Sequence, residues 1–302
     1  LRVVRFREQD TIRLAVLTDD DRIYPTPHAG FVEFVAHSRQ RGLSPLRYAE
    51  QIVASGQALG RTLEALELAV PVEAQEVWAA GVTYARSKEA RNYEATGGRM
   101  DAVTFYDKVY DAARPEIFFK STGARLVAPN GDVCIRSDSR WQVPEPELGL
   151  VLGGDGEIWG YTIGNDMSCR DIEGENPLYL PQAKVWRRSC SIGPAIRLAE
   201  AVADPYDLRI ATRIIRNGDL VFEGSASTGQ LKRKFTELVH YLGLDNDIAD
   251  GTVLLTGTCI VPPNDFTLTD GDRIEIEIAG IGCLRNSVRP ASAYAKPEVA
   301  RS

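Results

Sequence analysis

The sequence predicts a β-rich α+β fold with few helices. Three observations carry that expectation. From Glu116 onward, short apolar runs succeed one another between Gly, Pro, Asn and Asp, as in "ARLVAP", "DVCIRS", "ELGLVLG" and "IWGYTIG". In "RIEIEIA", Ile274, Ile276 and Ile278 alternate with glutamates, the pattern of a strand with one wet face. One clear helical stretch, "STGQLKRKFTELVHYLG", interrupts these runs. The regular strand–helix alternation of a Rossmann or TIM chain is missing.

Taken in order, residues 1–27 read as short strands ("LRVVRFR", "TIRLAVL", "RIYPTP") broken by the acidic turn "TDDD". Two helical patterns follow, "GFVEFVAHSRQRG" and "SPLRYAEQIVASG". "LAVPVEAQ" reads as a connector, which puts a boundary near 72. Residues 1–72 form a small N-terminal α/β unit, read as a packing or oligomerisation module, and residues 73–302 form the larger domain. "EVWAAGVTY" suggests a strand running into a helical segment over roughly 84–113. The later runs "SIGPAIRL", "LRIATRIIR", "LVFEGS" and "TVLLTG" are further strands. Asn217 and Gly218 supply the positive φ of a type I′ hairpin turn. The late helix has Ser227 or Thr228 as N-cap and Gly243 as its stop. Internal repeats and low-complexity segments are absent.

Composition narrows the function. The 302 residues are 44% apolar and 25% charged, ordinary values for a globular protein, with a net charge of −7. No basic stripe exists for a nucleic-acid backbone; "LKRKF" at 231–235 reads as the solvated face of a helix. No apolar run approaches the ~20 residues of a membrane span, and the first residues lack the apolar core of a signal peptide. Five widely spaced cysteines, an odd number, argue against a disulfide framework or a CxxC zinc site and fit a reducing cytoplasm. The expectation is a cytoplasmic protein acting on a small molecule.

The chemistry concentrates in "RWQVPEPELGLVLGGDGEIWGYTIGNDMSCRD", residues 140–171. Residues i and i+2 of a strand share a face, so Glu145 and Glu147 point the same way. Pro146 between them suits a strand start or edge. "GGDG" lacks phosphate-loop spacing and reads as a hairpin turn. That hairpin would bring Glu147 level with Asp166. Three converging carboxylates need a cation or a proton among them. Oxygen ligands with no nearby His or Cys favour Mg²⁺ or Mn²⁺, with Ca²⁺ also possible and Zn²⁺ disfavoured. The commoner explanation of an isolated E-x-E pair is two solvated strand-end acids.

Other residues carry a sharp reading and a plainer one. Glu116 and Lys120 end an apolar strand on one face, as a base with an oxyanion-stabilising ammonium or as an exposed edge-strand pair. Lys184 and Gln182 stand in "LPQAKVW", read as a polar loop where a lone lysine is ordinarily solvated. The amides of Thr256-Gly257-Thr258 could grip a substrate carboxylate or simply end a strand. Only His28, His37 and His240 exist, so a histidine-based nucleophile system or zinc site is disfavoured.

"EPE", then "GYTIGNDMSCRD", a lysine in a polar segment and "TGT" together resemble the fumarylacetoacetate hydrolase superfamily, over the chain from about 77 to the end. The resemblance implies a mixed β-roll core in which Glu145, Glu147 and Asp166 hold a divalent metal. "DKVYDAARPEIFFK", "SDSRWQVPEPEL" and "RDIEGENPLYLPQAK" look most like its branch of 2-keto-3-deoxy-arabinonate dehydratases. By that likeness Glu116 would be the acid/base, and Lys120 and Lys184 polar groups around the substrate. Thr83, Tyr84, Gln182 and Thr258 would contact substrate. The hydrolases typically carry G-x-N-Y-x-x-H-x-x-E, whose His–Glu dyad activates water. Here "GVTYARSKEA" puts Ser87 and Ala90 at those positions, and Glu89 would face about 100° away round a helix.

The expected activity is therefore metal-dependent loss of water from a 2-keto-3-deoxy-pentonate, giving 2-oxoglutarate semialdehyde, in a homodimer or homotetramer. A Schiff base on Lys120 or Lys184 is the metal-free alternative route. Two other functions compete. One is a hydrolase, decarboxylase or isomerase of a 2,4-diketo acid on the same fold. The other is a non-catalytic oxo-acid-binding protein that keeps the pocket.

Overall fold

The protein's structure, a computed structural model, describes residues 1–96 and 105–295. Two sheets organise it. The larger has eleven strands, and its main path runs Ile23–Pro25, Thr11–Leu17, Arg2–Glu8, Cys190–Leu198, Ile158–Asp166, Pro146–Leu152, Thr252–Thr258, Glu76–Gly81 and Glu116–Thr122. The smaller runs Asp219–Ser227, Arg209–Arg216, Arg273–Ile278, Gly282–Pro290 and Asp132–Ile135. Leu148, Leu150, Leu152 and Ile163 of the first pack with Ile210, Ile214, Ile274, Ile276 and Leu284 of the second. Alternation of apolar residues gives the smaller sheet its inner face, while the Pro146–Leu152 strand is buried on both faces and reads as one apolar run.

The N-terminal strands extend the larger sheet, because Arg2–Glu8 pairs antiparallel with Cys190–Leu198. Helices Phe31–Gln40 and Pro45–Ser55 cover it, with Phe31, Phe34 and Tyr48 in one cluster with Val151, Trp159 and Val253. The first residues thus share a core with the strands that carry the acids. Ser44 caps the second helix through Arg47 N–H, with Pro45 at its first position.

Several expectations hold in detail. Asn217 and Gly218 have φ of 53° and 92°, and Arg216 faces Asp219 across the turn. Gly153–Gly156 closes the hairpin between the two acid-bearing strands. All five cysteines are free. Among the described residues no helix is long and apolar enough to cross a membrane.

Other expectations are corrected. The single late helix is two elements: a 3-10 turn at Thr228–Gln230, capped by Ser227, and a helix over Phe235–Gly243. Between them "LKRKF" is no solvated helical face. Arg233 is buried and donates to the carbonyls of Val109, Ala112 and Ala113, and Lys232 bonds Tyr110 and Asp111. These cations tie down the end of a helix at Phe105–Asp111, where carbonyls lack intrahelical donors. The helical segment expected over 84–113 comprises Ala85–Thr96 and Phe105–Asp111; its middle, 97–104, lies outside the described residues. "LPQAKVW" is not a loop, since Leu180–Lys184 is a short helix. The strand Gly282–Pro290 and the helix Arg170–Glu175 carry weak patterns and were not foreseen.

Candidate metal centre and active site

The hairpin of Pro146–Leu152 and Ile158–Asp166 builds the acid cluster, in a register different from the one expected. Glu147 lies opposite Gly164, and Glu145 is level with Asp166, each N–H donating to the other's carbonyl at 3.1 and 3.0 Å. Convergence survives because Glu145 and Glu147 share a face and Asp166 ends the neighbouring strand. One carboxylate oxygen from each of Glu145, Glu147 and Asp166 lies within 4.8 Å of the others. All three residues are buried, with 5%, 1% and 0% exposure, so the solvated reading of the E-x-E pair is wrong here.

Lysines hold this cluster together. Lys184 Nζ donates to Glu145 Oε2 at 2.7 Å, Asp166 Oδ2 at 3.0 Å and Ser168 Oγ at 2.6 Å. Lys120 Nζ donates to the carbonyls of Met167 and Lys184, at 2.8 and 2.5 Å, and pairs with Asp166 Oδ1 at 2.5 Å. Both lysines are fully buried, against the solvated readings of each. Burial alone would lower the Lys184 pKa, but Asp166, Glu145 and Glu173 outweigh it and push the ammonium's pKa up. Lys184 spends its three N–H bonds on fixed acceptors, and Lys120 has two such bonds and an ion pair to Asp166. Neither lysine presents a free amine, which leaves the Schiff-base route without a nucleophile.

A second layer surrounds the first. Arg170 Nη2 donates to Glu145 Oε1 at 3.0 Å, and its Nη1 pairs with Glu94 Oε1. Glu173 pairs with Arg91 at 3.3 Å and Lys184 at 3.4 Å. None of Arg91, Glu94, Arg170 or Glu173 was expected from the sequence. Arg91 and Glu94 continue from Ser87 at helical spacing on Ala85–Thr96, and Arg170 and Glu173 do the same on Arg170–Glu175; that spacing was the available signal.

Electrostatics identify what the cluster lacks. Counted as fully ionised, the carboxylates of Glu94, Glu116, Glu145, Glu147, Asp166 and Glu173 would outnumber the cations Arg91, Lys120, Arg170 and Lys184 by two among the described residues, and burial pushes Glu94 up to about 7 and raises Glu116. Burial, opposed by Lys184, Arg170 and Arg91, leaves Glu145 at about 2. Burial together with Asp166 and Glu145 pushes Glu147 well above its ordinary value. One divalent cation would balance the excess and keep Glu147 ionised. Burial also pushes the thiols of Cys190 and Cys259 up to about 12, so both stay protonated and are poor ligands. A set of three carboxylates fits a hard cation such as Mg²⁺ or Mn²⁺.

Glu147 has a further tie: Gly257 N–H donates to its Oε2 at 2.6 Å. The "TGT" turn therefore aims an amide at an acid of the cluster rather than presenting it to a ligand. Gly257 has φ of 95°, and a Cβ there would meet Thr83 Oγ1 at 2.0 Å, so glycine is required twice over. Thr83 Oγ1 donates to the Thr256 carbonyl at 2.7 Å. Thr258 lines a small cavity with Gly81, Val82, Ser87, Arg91, Phe118, Glu145, Arg170, Lys184 and Gly257. Tyr84 is buried nearby, its hydroxyl facing the Cys259 thiol. Gln182 is not drawn in: it is exposed, and its carbonyl accepts from Arg136 at 2.9 Å.

Glu116 stands opposite Gly81, which lines that cavity. Its Oε2 is shielded from solvent and has no hydrogen-bond partner among the described residues. Burial raises its pKa against the pull of Arg91, with Glu173 adding to the rise. The Glu116–Thr122 strand is an edge, as its exposed-pair reading required, but the pair is not exposed. A Cβ at Gly81 would fall 1.8 Å from Glu116 Oε2. Gly81→Ala is therefore expected to displace the carboxylate and cut turnover by about 100-fold with Mg²⁺ affinity unchanged, because misplacing a reacting group by about 1 Å costs that much. Steady-state kinetics beside calorimetric Mg²⁺ titration would check it; unchanged turnover would mean that the carboxylate position does not matter.

Ser87 does not substitute for a histidine. Its Oγ donates to the Tyr84 carbonyl at 2.8 Å and accepts from the Tyr84 N–H at 3.3 Å, a local cap. Ala90 is buried, and Glu89 is exposed beside Arg86, turned away as the helical spacing implied.

Known proteins place this geometry. Residues 77–289 match the family model described as fumarylacetoacetate (FAA) hydrolase C-terminal. Over 219 residues the chain is 51% identical to a probable 2-keto-3-deoxyxylonate dehydratase of Haloferax volcanii, covering 72% of this chain and 74% of the relative. Over 224 residues it is 46% identical to the 2-dehydro-3-deoxy-D-arabinonate dehydratase of Saccharolobus solfataricus, covering 74% and 75%. A solved 2-keto-3-deoxy-D-arabinonate dehydratase, complexed with magnesium and 2,5-dioxopentanoate, superposes with a TM-score of 0.82 at 36% identity over 96% of this chain and 99% of that one. With the family model spanning more than half its length and the buried acid cluster inside the match, the chain belongs to the fumarylacetoacetate hydrolase family.

Proposed function

We propose that this protein is a metal-dependent hydro-lyase that converts a 2-keto-3-deoxy-pentonate to 2,5-dioxopentanoate, which is 2-oxoglutarate semialdehyde, and water, in pentose catabolism. The observation that carries the reading is a buried trio of converging carboxylates beside Glu116, whose shielded Oε2 has no hydrogen-bond partner among the described residues. The dehydratase names of the 51% and 46% identical relatives support the substrate class, and magnesium in the solved dehydratase supports the ion.

Glu145, Glu147 and Asp166 would hold Mg²⁺, or Mn²⁺ in its place. Bound there, the cation would supply Lewis acidity to the carboxylate and ketone oxygens of a 2-oxo acid, making C3 acidic. Glu116 Oε2 takes the C3 proton, since the other acids are tied to cations or amides. The C4 hydroxyl leaves with a proton returned by Glu116, as water. C5 then gives up a proton and C3 regains one, and the resulting C4–C5 enol gains a proton at C4 and loses its hydroxyl proton to become the aldehyde. Lys184 and Lys120 hold Asp166 and Glu145 in place. Thr83, Tyr84 and Thr258 border the space for the sugar-acid chain, and residues 1–72 serve packing in a cytoplasmic homo-oligomer.

Purified protein with Mg²⁺ is expected to release semialdehyde from 2-keto-3-deoxy-pentonate, with activity abolished by EDTA and restored by excess Mg²⁺. Pyruvate release from an acylpyruvate, without dehydration, would instead make the protein a hydrolase. Binding of oxo acids with no turnover of either would make it a binding protein.

A further inference from the structure

The acid trio accounts for the ion but not for Glu94, a carboxylate one layer out. Glu94 projects from the Ala85–Thr96 helix with its side chain 1% exposed. It is not among the residues lining the small cavity beside Glu145 and Lys184. Its Oε1 pairs with Arg170 Nη1, and its Oε2 has no hydrogen-bond partner among the described residues. Arg170 is itself 2% exposed, and its Nη2 reaches Glu145 Oε1 at 3.0 Å. Glu145 is therefore gripped at both oxygens, by Arg170 at Oε1 and Lys184 at Oε2.

A carboxylate that must donate to a cation is poorly served by a guanidinium that claims it alone. An unshared buried Arg⁺ would draw the Glu145 charge toward itself and add a full positive charge beside the ion. With Glu94 on its other arm, Arg170 is shared between two carboxyl groups and acts on Glu145 as an orienting donor. Such outer partners commonly change metal affinity by about 10–100-fold when removed.

We propose that Glu94 is a positioning residue of the metal centre, acting through Arg170 to set the orientation and donor strength of Glu145. This rests on the reading of Glu145, Glu147 and Asp166 as a divalent-cation site, and it adds a residue joined to Glu145 through the two arms of Arg170.

The test is a double-mutant cycle read by direct binding. Mg²⁺ affinity is measured by calorimetry, and Mn²⁺ affinity by loss of the free-ion EPR signal, for the full chain without substrate. Glu94→Gln, which keeps the shape and removes the charge, is expected to weaken Mg²⁺ binding by at least about 10-fold. In an Arg170→Met background the same substitution is expected to change affinity by less than about twofold, because the arm that transmits it is gone. Thermal melts in EDTA establish that each variant folds. If Glu94→Gln fails to fold alone, Arg170→Met against Glu94→Gln/Arg170→Met, the charge-balanced pair, still gives the second comparison. Equal loss in both backgrounds would mean that Glu94 acts through space, and no loss in wild type would mean that it is structural; either overturns the proposal. Wild-type protein that binds neither ion would overturn the metal reading and this inference with it, an outcome distinct from the other two.

Discussion

Glu116→Gln is expected to lower turnover of 2-keto-3-deoxy-pentonate by about 100- to 10,000-fold, the range supplied by a general acid–base group, and to leave Mg²⁺ affinity within about twofold. The split follows from position. Glu116 Oε2 stands shielded beside Gly81 with no described partner, whereas each acid of the trio is engaged by a lysine or an amide. Gln matches Glu in shape but can neither take the C3 proton nor return one to the C4 hydroxyl. Burial, opposed by Arg91, raises the Glu116 pKa, so its active basic form is lost at a higher pH than for an ordinary glutamate. The acid limb of the wild-type kcat/KM profile is accordingly expected above the usual 4.5 and absent from whatever activity Glu116→Gln retains. Glu147→Gln is the control with the opposite pattern. It removes a ligand charge and is expected to abolish both Mg²⁺ binding and turnover. Full turnover in Glu116→Gln would assign the proton chemistry to another group.

The parts of this site legible in the sequence are those fixed by short-range geometry. A period of two puts Glu145 and Glu147 on one face, and a glycine-rich turn returns the chain to Asp166. The exact register was not legible, because Glu145 rather than Glu147 comes level with Asp166, and a two-residue shift in pairing keeps every side chain on its own face and leaves the apolar pattern unchanged. Burial of the lysines was hidden as well. Lys184 sits at the end of a five-residue helix in a segment rich in polar residues, and only the acids brought to it from distant strands make its burial tolerable. The same holds for "LKRKF", where Arg233 is buried by carbonyls some 120 residues earlier in the chain. Glu94 and Glu173 are not legible because a charged residue on a helix is ordinarily at the surface; their spacing from Ser87 and Arg170 matters only once those helices are known to face the acids. Strand alternation, by contrast, was legible in Arg273–Ile278 of the smaller sheet, since one face of that strand meets water.

Lys184→Met should expose how far the cluster depends on its internal cations. The ammonium bonds Glu145, Asp166 and Ser168 and stands 3.4 Å from Glu173, all buried, so its removal leaves carboxylates without their counter-charge. Breaking one partner out of a buried ion network typically costs about 3–5 kcal/mol. At about 2–4 °C per kcal/mol for a large domain, the melting temperature in EDTA should fall by on the order of 10 °C. Mg²⁺ should then restore more stability to the variant than it adds to wild type, because the ion replaces a missing charge as well as filling its own site. Turnover should stay low even in saturating Mg²⁺, because Glu145 and Asp166 lose the donor that sets their orientation. Thermal melts of both proteins across a Mg²⁺ series, with activity measured in parallel, separate the charge effect from the catalytic one. A variant that melts with wild type in EDTA would show that the acids do not need Lys184, and would return the ammonium to the role of an ordinary polar group beside the substrate.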